Sequence, residues 1–305
     1  MTSDEVPARD QVPELLLVVD FDGTVYRGDA PVRRYARLIA DGLPPADAES
    51  YLQALERYIA DGPAAARAST DTVEAAALRE SADTWGAAVH LAARCYGVPA
   101  ETTEFAFARC RHWMTKPECE IEVVQPLMDT LADLREEARI TLVTNSGLIG
   151  LMPLLERLGI VSYFDDIVPG AAKPDGLRRF LQRSLGPDLR IRPWRLFSIG
   201  DHYRNDIEPA AEIGAASGYI DRYGRADGPA TARAPLAEDL LPALRAWAAN
   251  PAATPPPAES PPPAESPVPG KGPVPSESPV PGKSLMRNER PVPADRPVPA
   301  ERRRA

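Results

Sequence analysis

Hydrophobic and polar positions along the chain follow two rhythms. Residues 14–20 carry Leu15-Leu16-Leu17-Val18-Val19, an apolar run too short for a helix, which predicts a buried strand. From about 29 to 117, Ala, Leu, Arg and Glu dominate and apolar residues recur at helical spacing. This predicts helices over about 31–41, 45–60, 71–96 and 100–113, the third starting at an Asp71 N-cap and stopping at Gly97. Beyond that block, short apolar runs alternate with helical segments. Strands are expected at 121–124, 139–143, 164–168, 195–199 and 216–220. Helices are expected from Pro126 onward and over about 148–158, 177–184, 206–213 and 236–249. Such alternation predicts an α/β fold with a doubly wound, Rossmann-like parallel sheet covered on both faces.

The pattern ends near Asn250, where units such as Pro-Pro-Pro-Ala-Glu-Ser and Pro-Val-Pro-Ala-Asp-Arg take over. A segment of this kind buries too little apolar area to offset its ordering entropy, so an extended, disordered tail is expected. The expected organisation is therefore an α/β core over 12–28 and 118–249, a helical domain inserted over 29–117, and a Pro-rich repeat tail over 250–305. The tail is a solvated spacer in the simplest reading, and a docking segment for a proline-reading protein in the alternative.

With 305 residues and 44% hydrophobic content, the chain can build a substantial core. Its net charge of −9 argues against nucleic acid and anionic membranes as partners. Phosphorylated small molecules stay open, because a metal ion and a few local cations can dominate a site. The start, Met1-Thr2-Ser3-Asp4-Glu5, lacks the basic and apolar regions of a signal peptide, and no run approaches the roughly 18 apolar residues of a membrane span. Cys95, Cys110 and Cys119 are odd in number and lack metal-ligand spacing, so packed thiols in a reducing cytoplasm are expected.

Four polar endings then change the picture. Asp20-Phe21-Asp22-Gly23-Thr24 closes the first strand, and Thr144-Asn145-Ser146 closes the strand at 139–143. Lys173-Pro174-Asp175-Gly176 precedes a helix, and Gly200-Asp201 closes the strand at 195–199, with Asp206 five residues on. Ligands of open α/β sheets bind beyond the carboxyl ends of the strands. Phosphoryl transfer uses these residue types: a carboxylate nucleophile, a second carboxyl to move a proton, oxygen ligands for a hard cation, and a hydroxyl and ammonium to stabilise charge. Taken singly, each residue has an ordinary reading as a helix cap, a turn or a solvated loop lysine.

The four segments, in this order, resemble the motifs of the haloacid dehalogenase superfamily, and in particular its phosphatase members. The helical insert resembles that family's C1 cap domain. The resemblance implies Asp20 as nucleophile and metal ligand, and Asp22 as general acid/base with its backbone carbonyl on the metal. It implies Thr144, with Asn145 beside it, on the phosphoryl oxygens, and Lys173 as the cation that stabilises phosphoryl charge and orients Asp20. Asp201 and Asp206 would complete a Mg²⁺ site, while Gly23 and Thr24 shape the turn. Dehalogenases of the superfamily lack an aspartate at the position of Asp22, so the resemblance favours hydrolysis of a small phosphorylated metabolite. A phosphomutase using the same residues, and a non-catalytic protein acting through its tail, are the alternatives. Tyr26, Arg27, Tyr35 and Arg67 are candidates to meet a substrate from the helical side, whereas His90, His112 and His202 read as packing or surface residues. No Walker A loop, dinucleotide glycine fingerprint or Gly-x-Ser-x-Gly elbow occurs.

Overall fold

A computed structural model describes residues 15–186 and 192–258. The first strand, β1 (Leu15–Val19), is followed by β2 (Tyr26–Arg27) and five helices. These are α1 (Ala30–Ala40), α2 (Pro45–Asp61), α3 (Thr72–Glu80), α4 (Thr84–Tyr96) and α5 (Ala100–Met114). The chain returns through β3 (Glu122–Val123) and then alternates: α6 (Gln125–Asp133), β4 (Ala138–Val143), α7 (Leu148–Leu158), β5 (Asp166–Val168) and α8 (Asp175–Leu185). After β6 (Leu196–Gly200) come α9 (Glu208–Ala211), β7 (Ala216–Ile220), β8 (Ala232–Ala234) and α10 (Leu241–Ala249).

Six of the strands form one parallel sheet in the order β5-β4-β1-β6-β7-β8. β1 is central and wholly buried, as a strand with apolar side chains on both faces must be. Its side chains divide by the two-residue period of a strand. Leu15, Leu17 and Val19 enter the larger core, shared with α6, α10 and the helical insert. Leu16 and Val18 enter a smaller core on the opposite face, with Leu177 and Leu181 of α8 and Ala210 of α9. The sheet is thus covered on both sides, as the alternation predicted. Because the strands are parallel, the residues that follow β1, β4 and β6 gather at one edge.

The insert leaves and rejoins the core through β2 and β3, which pair antiparallel with Tyr26 opposite Val123 and Arg27 opposite Glu122. Asp71 caps α3 by accepting from the Val73 and Glu74 amides, and Gly97 ends α4 in the left-handed region. The expected single helix over 71–96 is two helices. Ser81 turns extended, its hydroxyl donating back to the Ala77 carbonyl at 2.7 Å. Its own carbonyl accepts from Tyr58 at 2.7 Å and Arg225 at 2.6 Å, and Asp83 caps a fresh start through the Gly86 amide at 2.6 Å. Tertiary hydrogen bonds to one carbonyl thus outweigh a continuous helical pattern.

Three further boundaries differ. The helix expected at 206–213 begins at Tyr203 in a wider π turn, and the one expected at 236–249 opens in a 3₁₀ turn at Ala237–Leu240. β8 was not foreseen, because three residues with arginine in the middle carry no strand signal. Residues 251–258, expected within the tail, lie on the core, with Ala258 paired to Ala230 through bonds of 3.2 and 3.3 Å. The rest of the expected tail lies outside the described residues. None of the described helices is long and apolar enough to cross a membrane.

Leu17 is fully buried at the centre of the sheet. Leu17→Ala is expected to lower the unfolding free energy by about 2–5 kcal/mol, read as a lower midpoint in urea denaturation.

Candidate active site

The residues singled out from the sequence meet at the carboxyl edge of β1, β4 and β6. Asp20 continues β1, its amide still donating to the Ile199 carbonyl of β6 at 3.0 Å. One carboxylate oxygen accepts from Thr24 at 3.1 Å, the other from the Lys173 ammonium at 2.7 Å. The same ammonium donates to Asp206 at 2.5 Å and to the Val143 carbonyl at the end of β4 at 2.8 Å. All three protons of Lys173 are therefore used. Its backbone is fixed as well: Asn145 accepts from the Lys173 amide at 2.7 Å. Asn145, expected beside Thr144 on the phosphoryl oxygens, here anchors the loop that carries the lysine.

Asp206 is 2% exposed and accepts from the His202 amide at 3.0 Å. Asp20, Asp201 and Asp206 each offer a carboxylate oxygen within 4.8 Å of the others. Two glycines make this crowding feasible. A Cβ on Gly23 would run into the Asp201 carboxylate, and one on Gly200 would lie 2.5 Å from the Asp206 Cβ. Gly23 also sits at φ +82°, where a side chain is strained.

Burial is the main force on these charges. It pushes the Asp20 carboxyl up to about 7, aided by Asp206 and Asp22 and opposed by Lys173. Asp201 is driven well above the usual carboxylate range by burial, then by Asp20, Asp83, Asp206 and Asp22. Lys173 loses to burial too, but Asp20 and Asp206 outweigh that loss and keep the ammonium charged. Asp201 enters none of the ion pairs of the described residues, although the Arg222 guanidinium feels its charge. Three close carboxylates against one ammonium leave an excess of negative charge and a set of hard oxygen donors. That set fits a divalent cation of the Mg²⁺ kind.

Asp22 lies outside this cluster. Its Oδ1 accepts from the Tyr26 hydroxyl at 2.5 Å, and its Oδ2 from the Ser146 hydroxyl at 2.7 Å and from the Arg111 guanidinium. Burial raises its proton affinity, but Arg111 and these three hydrogen bonds outweigh burial and hold the carboxyl below its usual range. Thr144 is buried, and its hydroxyl accepts from the Ser146 amide at 3.0 Å, shaping the turn that presents Ser146.

Arg111 is absent from the residues marked by the sequence, and Ser146 stands there only as the end of the Thr144-Asn145-Ser146 run, without a role. Arg111 had a readable signal: on α5 the buried positions are 103, 106, 110, 111 and 114, so a charged residue interrupts an apolar stripe. Of the four residues expected to meet a substrate, Tyr26 and Arg27 line a cavity of about 930 Å³ that also reaches Asp22, Gly23, Trp85 and Asp201. Tyr35 is buried against Trp85 and Phe107, and Arg67 is exposed. His202 accepts from the Asn205 amide at 3.3 Å and starts the π turn, a capping role.

The family model of the haloacid dehalogenase-like hydrolases matches residues 15–214. Among solved structures, a haloacid dehalogenase-like family hydrolase from Xanthomonas campestris is 19% identical, with a TM-score of 0.46 over 79% of this chain and 99% of that one. The HAD hydrolase YfnB from Bacillus subtilis, solved bound to magnesium, is 16% identical with a TM-score of 0.48, over 75% and 98%. An HAD phosphatase from Thermococcus onnurineus is 17% identical with a TM-score of 0.43, over 75% and 97%. Dehalogenases are among the other matches. A search of the curated proteins finds no match.

The donor set can be tested without an assay of turnover. Mg²⁺ at about a hundred times its Kd should add about 2.7 kcal/mol of stability, a rise in Tm of roughly 5–10 °C. Asp201→Asn and Gly23→Ala are each expected to lose most of that shift in a thermal melt with and without EDTA. An undiminished shift in both variants would place the cation elsewhere.

Proposed function

Because the chain belongs to the haloacid dehalogenase-like hydrolases, we propose that it hydrolyses small-molecule phosphomonoesters with Mg²⁺, through an aspartyl-phosphate on Asp20. The observation that carries this reading is the close cluster of Asp20, Asp201 and Asp206, two of them buried and Asp201 half-buried. Displacement of halide from carbon by Asp20 would need no cation and no proton for the leaving group, so it would leave the pairing of Asp20 with Asp201 and Asp206, and the Asp22 carboxyl, without a role. Transfer of a phosphoryl group needs both.

Asp20, Asp201 and Asp206, with the Asp22 backbone carbonyl, would hold Mg²⁺, which when bound would neutralise phosphoryl oxygens. The Lys173 ammonium, already on Asp20, keeps the nucleophilic oxygen turned toward the site and adds a second positive charge beside the transferring group. Thr144, whose hydroxyl accepts from the Ser146 amide, would bind the phosphoryl oxygens. Asp20 attacks phosphorus as the bond to the leaving oxygen breaks, and Asp22 gives that oxygen its proton. The incoming phosphate supplies the like charge that favours a protonated Asp22. The resulting carboxylate then takes a proton from the water that attacks the aspartyl-phosphate, which returns Asp20 and releases phosphate.

The helical insert, residues 30–114, serves as the cap in this reading. The cavity of about 930 Å³, lined by Thr84 and Trp85 of the insert and by Asp22 and Asp201, is of a size for a small metabolite. A closed cap excludes water other than the one that reacts.

Phosphate release from a panel of small phosphomonoesters should require Mg²⁺ and stop with EDTA. Asp20→Asn should lower kcat by roughly 10⁴-fold or more. Chloride release from a 2-chloro acid, with no phosphate release from any ester, would overturn the proposal.

A further inference from the structure

Three separate parts of the chain hold the Asp22 carboxylate. Tyr26 on β2 donates to one oxygen at 2.5 Å, and Ser146, after β4, donates to the other at 2.7 Å. The third contact comes from the insert: Arg111, near the end of α5, meets both Asp22 and Ser146 through one guanidinium nitrogen. Arg111 is 5% exposed. Its guanidinium lies 5.9, 5.6 and 5.0 Å from the ring centres of Phe21, Trp85 and Phe107, and donates to the Met114 sulfur at 3.3 Å. Among the ion pairs of the described residues its partner is Asp22.

Burying a guanidinium is costly, and an apolar side chain at 111 would extend the buried stripe of α5 without that cost. What arginine supplies instead is direction. Its planar fork is fixed by the aromatic walls, so the oxygen it binds is fixed too. A general acid works only within hydrogen-bond reach of the oxygen it protonates. Asp22 lies beyond the end of β1, bridged to Tyr26, so the direction of its carboxylate is set by the groups that hold it.

We infer that Arg111 is a positioning residue, delivered by α5, that turns the Asp22 carboxyl toward the leaving-group oxygen, with Tyr26 as its counterpart on the other oxygen. Proton transfer to the leaving group is then complete only when the insert is docked on the core. The inference rests on the reading of Asp22 as the acid given above. Arg111 neither gives nor takes a proton: as the ester P–O bond breaks, the proton passes from Asp22 to the departing alkoxide, and the charge left on Asp22 is shared with the guanidinium.

The test compares kcat/KM for two leaving groups, since this ratio reports the steps up to phosphoenzyme formation. The best alkyl phosphate of the panel needs a proton on its leaving oxygen, whereas p-nitrophenyl phosphate departs without one. Full-length wild type, Arg111→Met, Arg111→Lys and Tyr26→Phe are measured with Mg²⁺. Arg111→Met should lose roughly 10²-fold or more on the alkyl ester and less than about fivefold on the aryl ester. Arg111→Lys should recover part of the alkyl loss, and Tyr26→Phe should repeat the pattern in weaker form. Equal losses on both esters, or an unimpaired alkyl rate, would overturn the positioning role while leaving the phosphatase reading intact. If circular dichroism finds Arg111→Met unfolded, the lysine and Tyr26 variants carry the same comparison. A wild type that turns over neither ester sinks the phosphatase reading, and this inference with it.

Discussion

Repulsion between carboxylates at one edge of the sheet is the constraint that organises this protein. Asp20, Asp22, Asp201 and Asp206 converge there because β1 and β6 are adjacent and parallel. Two unit charges 4 Å apart interact by about 4 kcal/mol at an effective dielectric of 20, so such a group persists only with compensation. Lys173 and Arg111 supply it from separate parts of the chain, one from the segment before α8 and one from the last helix of the insert. The two cations divide the carboxylates into two sets. Lys173 ties Asp20 to Asp206, while Arg111 draws Asp22 away from them.

Much of this was legible in the sequence, and the reason is local. β1 reads as a buried strand because Leu15–Val19 is apolar on both faces, and a strand of that kind must be central. Each of Asp20, Thr144 and Asp201 follows a recognisable strand directly, so predicting the strands placed the side chains. Lys173, an ordinary loop lysine when read singly, was marked out by the resemblance of the four segments taken in order. What stayed hidden depends on contacts between distant segments. Nothing near Ser81 marks a helix end strongly, because the break is held by Tyr58 and Arg225, far away in the chain. β8 exists through its pairing with β7 and has no pattern of its own.

Arg111 belongs to the same class. Its neighbours in sequence describe a surface helix, and its role appears only once α5 is laid over Phe21 and Asp22. A charged residue in a buried stripe was visible, but its partner, 89 residues earlier, was not. The aromatic residues around it behave similarly. Trp85 and Phe107 contact each other and Tyr35 across three helices of the insert, which makes a rigid wall from residues that separately look like ordinary core.

The short β2–β3 ribbon has a consequence for the protein's history. The chain departs from the sheet and comes back to it through two neighbouring, oppositely directed strands. The two ends of the insert are therefore side by side, and the order of the parallel strands owes nothing to what lies between them. A block joined this way is modular: whole helices can be gained, lost or exchanged at that ribbon during evolution while the catalytic edge of the sheet is inherited unchanged.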